Sequence, residues 1–140
     1  MATKGCSTGM LNAFLDAIRT KGGGNLRIVL MASSGASWPI TIVSASSNST
    51  GCLAQSTGGA AGGAFPTSDE FVLGSCGDNQ YITVPACSCD LVLQTDEAAY
   101  VAIIEDSSSI RYVTTCTTQA VTSGNKVNIG TWSITINQPT

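Results

Sequence analysis

The sequence predicts an all-β fold, an antiparallel β-sandwich or jelly roll with a short N-terminal helix, in a single domain of residues 1–140. Three observations predict it. About eight short runs rich in β-branched and aromatic residues are separated by Gly, Pro, Asn, Asp and Ser. The second half alternates apolar with polar side chains, the pattern of strands that turn one face to a core. Only one segment, near the N-terminus, repeats its apolar residues at helical spacing.

That segment carries Met10, Leu11, Phe14, Leu15 and Ile18. Ser7 or Thr8 stands where an N-cap belongs and Gly22-Gly23-Gly24 stops the helix, which is expected over about residues 8–21. A first strand follows over Leu26–Met31, and after a Ser/Gly break ending at Pro39 comes a second short run, Ile40–Val43. From about 44 to 66 the chain is mostly Ser, Gly, Ala, Asn and Thr, which predicts a long loop with little to give a core. Such a loop is either a linker or an arm that orders on another subunit. Its Asn48-Ser49-Thr50 sequon reads as part of a polar loop, since no secretory signal is evident.

Beyond the loop, Phe71-Val72-Leu73 precedes a turn over Gly74–Asn79, and Tyr81–Val84 ends at Pro85, a residue suited to a strand end. Cys87, Cys89, Leu91 and Leu93 are expected on one face and Ser88, Asp90 and Gln94 on the other, with Val92 out of phase. Ala99–Ile104 reads as a buried strand, Glu105–Ser109 as a hairpin turn, and Ile110, Tyr112, Thr114 and Cys116 as the alternating return. In the last strand Val127 and Ile129 fall on odd positions but Trp132, Ile134 and Ile136 on even ones. A bulge near Gly130-Thr131 would keep all five on the core side.

Composition narrows the function. Six Lys or Arg and nine Asp or Glu are the only formal charges, there is no His, and Ser plus Thr number thirty-four. An ordinary soluble domain is about 25% charged, against 11% here. Either hydroxyls and amides manage the surface or permanent neighbours cover it, and low charge favours association in both cases. The net charge of −3 and the scattered basic residues argue against a nucleic-acid partner. No run approaches 18 apolar residues and Asn12 and Asp16 interrupt the first apolar segment, so neither a membrane span nor a signal peptide is expected and synthesis is placed in the cytosol.

In that compartment Cys6, Cys52, Cys76, Cys87, Cys89 and Cys116 read first as small buried thiols. A zinc site would want C-x-x-C pairs, and the chain offers only Cys87-Ser88-Cys89. Without His there is no imidazole base and no Ser-His-Asp or Cys-His nucleophile. The adjacent acids Asp69-Glu70, Asp96-Glu97 and Glu105-Asp106 read as solvated residues at turns or strand ends. The Gly58–Gly63 cluster lacks the Gly-Lys-Ser/Thr ending of a phosphate loop. Asp69, Glu70, Asp78 and Asn79 are close enough in sequence to suggest calcium but do not fit EF-hand spacing. A sugar platform would need Trp38 or Tyr81 exposed. No catalytic residue, cofactor or metal is therefore expected.

One likeness rests on the order of these elements. A short helix with a glycine stop, the strand segment Asn25–Ile28, a Ser/Ala/Gly-rich middle, the stretch from Ala99 through Glu105-Asp106, and a closing Val127–Ile136 strand before Pro139 resemble small virion proteins of tailed bacteriophages. The resemblance covers most of the chain through element order and two short segments. It implies a structural, non-enzymatic protein of the virion, made in the host cytoplasm: a cement or decoration subunit that binds between copies of the major capsid protein and is itself a homo-oligomer. The alternative it implies is a tail or connector component, or a tail-fibre module that binds glycans. Met10, Leu11, Phe14 and Trp38 are the first candidates for an interface, each equally suited to a core.

Overall fold

The computed structural model of the chain describes residues 7–20, 25–33, 51–58, 68–105 and 109–137. Two antiparallel sheets and one short helix make up a sandwich-like all-β fold with the helix at its N-terminal end. The helix α1 spans Thr8–Arg19. Ser7 caps it, its side-chain oxygen accepting from the Met10 N–H at 3.2 Å. Thr20 leaves it in extended geometry, so the helix ends ahead of the expected Gly22–Gly24 stop, which lies outside the described residues.

Among the described residues nine strands follow: β1 (Leu26–Ala32), β2 (Cys52–Gly58), β3 (Val72–Cys76), β4 (Asn79–Val84), β5 (Cys87–Leu91), β6 (Asp96–Glu105), β7 (Ser109–Val121), β8 (Lys126–Ile129) and β9 (Trp132–Ile136). The larger sheet has the order β7-β6-β1-β2-β5-β8 and the smaller the order β3-β4-β9. Leu15 of α1, Ile28 and Leu30 of β1, Ile103 of β6, Ile82 and Val84 of β4 and Ile134 of β9 share one buried cluster, so the core lies between the sheets and under the helix. The larger sheet has a second buried face, where Val29, Met31, Cys52, Ala102 and Ile104 pack together. Strands buried on both faces read as unbroken apolar runs, which is why 101–105 shows no alternation.

The expected loop over 44–66 is corrected by β2, which sits between β1 and β5. Its low β-propensity is offset by its side chains. The Ser56 hydroxyl accepts from the Ile28 N–H at 3.0 Å and Gln55 Oε1 accepts from Arg27 at 3.0 Å, so polar residues in mid-sheet find their partners on β1. Small Cys52 and Ala54 fit where neighbouring strands close over them. The run Ile40–Val43 and the sequon lie outside the described residues.

The expected turn over Gly74–Asn79 shrinks to Gly77-Asp78, with Gly77 at φ 62°, because Gly74, Ser75 and Cys76 continue β3 against β4. Gly74 faces Tyr81, whose ring lies where a Cβ would stand, 2.4 Å from the ring carbon Cζ. Bare backbone at this position gives the tyrosine its seat.

The two sheets share a ribbon. Val84 of β4 stands opposite Trp132 of β9, and three residues forward on one strand and three back on the other Cys87 of β5 stands opposite Ile129 of β8. The register is unchanged through the bend at Pro85-Ala86 and Gly130-Thr131. On both strands the core-facing positions switch there from even to odd numbers: Ile82 and Val84 give way to Cys87 and Cys89, and Trp132 and Ile134 to Ile129 and Val127. The expected bulge is therefore corrected to a corner at which a two-stranded ribbon leaves one sheet and enters the other.

Candidate interaction surface

Helix α1 carries two apolar stripes side by side. Leu11 and Leu15, with Ile18 beside them, turn into the core against β3, β4 and β7. Met10, Ala13, Phe14 and Ala17, spaced at i, i+3, i+4 and i+7, form the second stripe and line a wholly apolar shallow surface. Met10 is 57% and Phe14 67% exposed. Of the residues expected at an interface, Met10 and Phe14 are thus exposed, and Trp38 lies outside the described residues. Leu11 is corrected to a core residue, because its position on the helix is in phase with Leu15.

The helix is held in this orientation at its C-terminal end. Arg19 Nε donates to Asp16 Oδ1 at 2.6 Å and Arg19 Nη1 donates to the Phe71 carbonyl at 2.9 Å, tying the last turn to the segment that enters β3. A cation in the last turn also suits the helix dipole.

Beside the exposed stripe lies a groove of about 490 Å³. Phe14 and Ile18 form its helical wall, Ile110 and Tyr112 of β7 a second wall, and Ile134 and Ile136 of β9 a third. Among the described residues β7 pairs only with β6 and β9 only with β4, so the groove runs between the outer edges of the two sheets. Tyr112 and Trp132 meet across that seam with ring centroids 6.0 Å apart.

Arg111 is the charged residue of the lining. It forms an ion pair through Nη2 with Glu105, whose side chain is only 5% exposed against 27% for Arg111. The solvated turn acid expected at Glu105 is corrected by this pair: Glu105 closes β6 on the core face, and the arginine two residues into the return strand folds back over it. Arg111 Nε and Trp132 Nε1 are buried without an acceptor.

The other candidates disperse. Asp69 and Glu70 sit in a 3₁₀ turn before β3 and Asp78 and Asn79 at its far end, so the strand separates them by roughly 17 Å. Among the described residues no group of three or more Cys, Asp or Glu gathers as a metal site. Cys87 and Cys89 share a buried face of β5 and hydrogen-bond to one another, while Leu91 and Leu93, expected on that face, are exposed and Val92 is buried. The reversal follows from an irregularity in the pairing of β5 with β8 between Ser88 and Leu91. Val92 N–H donates to Asn125 and Leu93 N–H to Leu53, so the chain twists out of phase at Leu91.

The five described cysteines are free thiols. Burial pushes the Cys52 thiol up to about 11, against a smaller opposing effect of its hydrogen bond with Gln55. The Cys87–Cys89 hydrogen bond raises Cys89, with burial adding to the rise, and lowers Cys87. Burial raises Cys116. Tyr81 is half-buried over Gly74, and among the described residues no helix is long and apolar enough to cross a membrane. Comparison with protein-family models, with curated proteins and with solved structures finds no match to this chain.

Proposed function

We propose that this chain is a non-enzymatic structural subunit of a virion, a capsid cement or decoration protein that binds between copies of the major capsid protein of a tailed bacteriophage. The observation that carries the reading is the second stripe of α1. Met10 and Phe14 stand exposed on a helix already anchored by Leu11 and Leu15, on a chain with only 11% charged residues to keep it apart from others. An apolar face next to a groove is what a protein needs whose work is to stay attached. A shell repeats one docking site many times, so a modest contact becomes firm retention if the subunit also self-associates.

Quantitative mass spectrometry of purified particles tests this. The expected copy number is comparable to that of the major shell protein. A handful of copies per particle would move the chain to the tail or connector, and its absence from particles would overturn both placements.

A further inference from the structure

We propose that the groove between β7 and β9 receives an extended segment of the partner protein, which adds to the outer edge of β9 as a further strand and lays its apolar side chains against Phe14 and Ile18. The inference rests on the reading of the chain as an assembly subunit and names the form of what it holds.

Three observations select a strand. First, among the described residues the groove lies at two sheet edges, since β9 has β4 on one side only and β7 has β6 on one side only. An edge strand offers a row of main-chain donors and acceptors that another extended chain can pair with. Second, the β9 wall is made of apolar side chains at alternate positions, Ile134 and Ile136, with Tyr112 of β7 beside them, which is the spacing that reads every second side chain of an extended peptide. Third, two donors at the seam, Arg111 Nε and Trp132 Nε1, are buried without acceptors. A backbone entering there brings carbonyl oxygens, and buried donors ordinarily have a partner.

Area argues against a second copy docked through the helix alone. Met10 and Phe14 are the large side chains of the exposed stripe. With 57% and 67% of about 200 Å² each still exposed, they would supply roughly a third of the ~800 Å² per partner that a stable dimer buries. A strand needs less apolar area because its main-chain hydrogen bonds carry part of the affinity.

The test is selection of a random library of strand-length peptides on the immobilised full chain. The expected binders alternate apolar and β-branched residues, bind Phe14→Glu and Ala17→Glu at least about tenfold more weakly, bind Leu93→Glu as they bind the wild type, and slow amide exchange along 134–136. Circular dichroism checks that each variant is folded, and the two groove variants stand in for one another. The proposal is overturned if no peptide is enriched, if the binders are helical when bound, if both groove variants bind normally, or if β9 gains no protection. A wild-type dimer at micromolar concentration that Phe14→Glu dissolves would make the occupant a second copy and also overturn it. Particles that contain the chain and still incorporate Phe14→Glu would reject the strand seat and leave the cement reading standing. Peptides that seat as described on a chain absent from particles would do the reverse.

Discussion

Tyr112 and Trp132 meet in a tilted pair, ring centroids 6.0 Å apart, across a seam where β7 and β9, the outer strands of two different sheets among the described residues, lie without a shared hydrogen-bond ladder. The rings do there what main-chain bonds do elsewhere in the molecule. They hold one end of the seam together, and the groove opens from Tyr112 toward Ile110 and Ile136. A double-mutant cycle with Tyr112→Leu and Trp132→Leu, read by urea unfolding, is expected to give a coupling of about 0.5–1.5 kcal/mol. Additive losses would mean that each ring packs against its own sheet.

The two stripes of α1 separate stability from binding. Leu15 is wholly buried and Phe14 mostly exposed. Leu15→Ala is expected to cost about 2–5 kcal/mol in denaturant unfolding, whereas Phe14→Ala stays within about 0.5 kcal/mol of wild type and weakens partner retention.

Removing Arg111 takes the paired cation from a buried carboxylate. Breaking a fully buried pair costs about 3–5 kcal/mol, and because Arg111 is 27% exposed Arg111→Met is expected to cost somewhat less, about 2 kcal/mol. Pairing it with Glu105→Leu should recover much of the loss, since the buried charge is then gone. A double variant less stable than either single one would contradict this.

The thiols give the protein an alkaline limit. The folded state holds Cys52 near 11 against an ordinary value of 9.0, so the folded state favours the protonated thiol. That contribution is complete below pH 9 and is lost as pH rises toward 11, on the order of 2 kcal/mol. Stability measured across this window should fall less steeply in Cys52→Ala. Cys89, also raised, retains part of the slope. In the native protein at pH 8 iodoacetamide should label exposed Cys76 well before Cys52, Cys87 and Cys89.

What was legible in the sequence was whatever burial writes as a period. The helix, β1, the paired faces of Cys87 and Cys89 and the hairpin of β6 and β7 all follow from spacing alone. β2 was not, because its reasons are tertiary: Ser56 and Gln55 are strand residues only once Ile28 and Arg27 are beside them. Leu91 and Leu93 misled because the pairing of β5 with β8 shifts register between Ser88 and Leu91 and the strand then ends, while the alternation in the sequence runs on. The parity change at Gly130-Thr131 was visible, but a bulge and a corner leave the same mark on one strand. The matching change between Val84 and Cys87 on the other strand was the signal for a corner. For the surface, apolar spacing nominated Met10, Leu11 and Phe14 together, and only the direction of the helix over the sheets distinguishes the two that face outward. The groove was not legible, since it joins residues about a hundred positions apart.

The ribbon that turns the corner at Pro85 and Gly130 has a mechanical meaning. A pull on one layer passes into the other along two continuous chains that keep their register across the bend, so the two layers are expected to melt together. Heating should therefore show a single cooperative transition for both, and a load applied at the helix would be shared by the whole body.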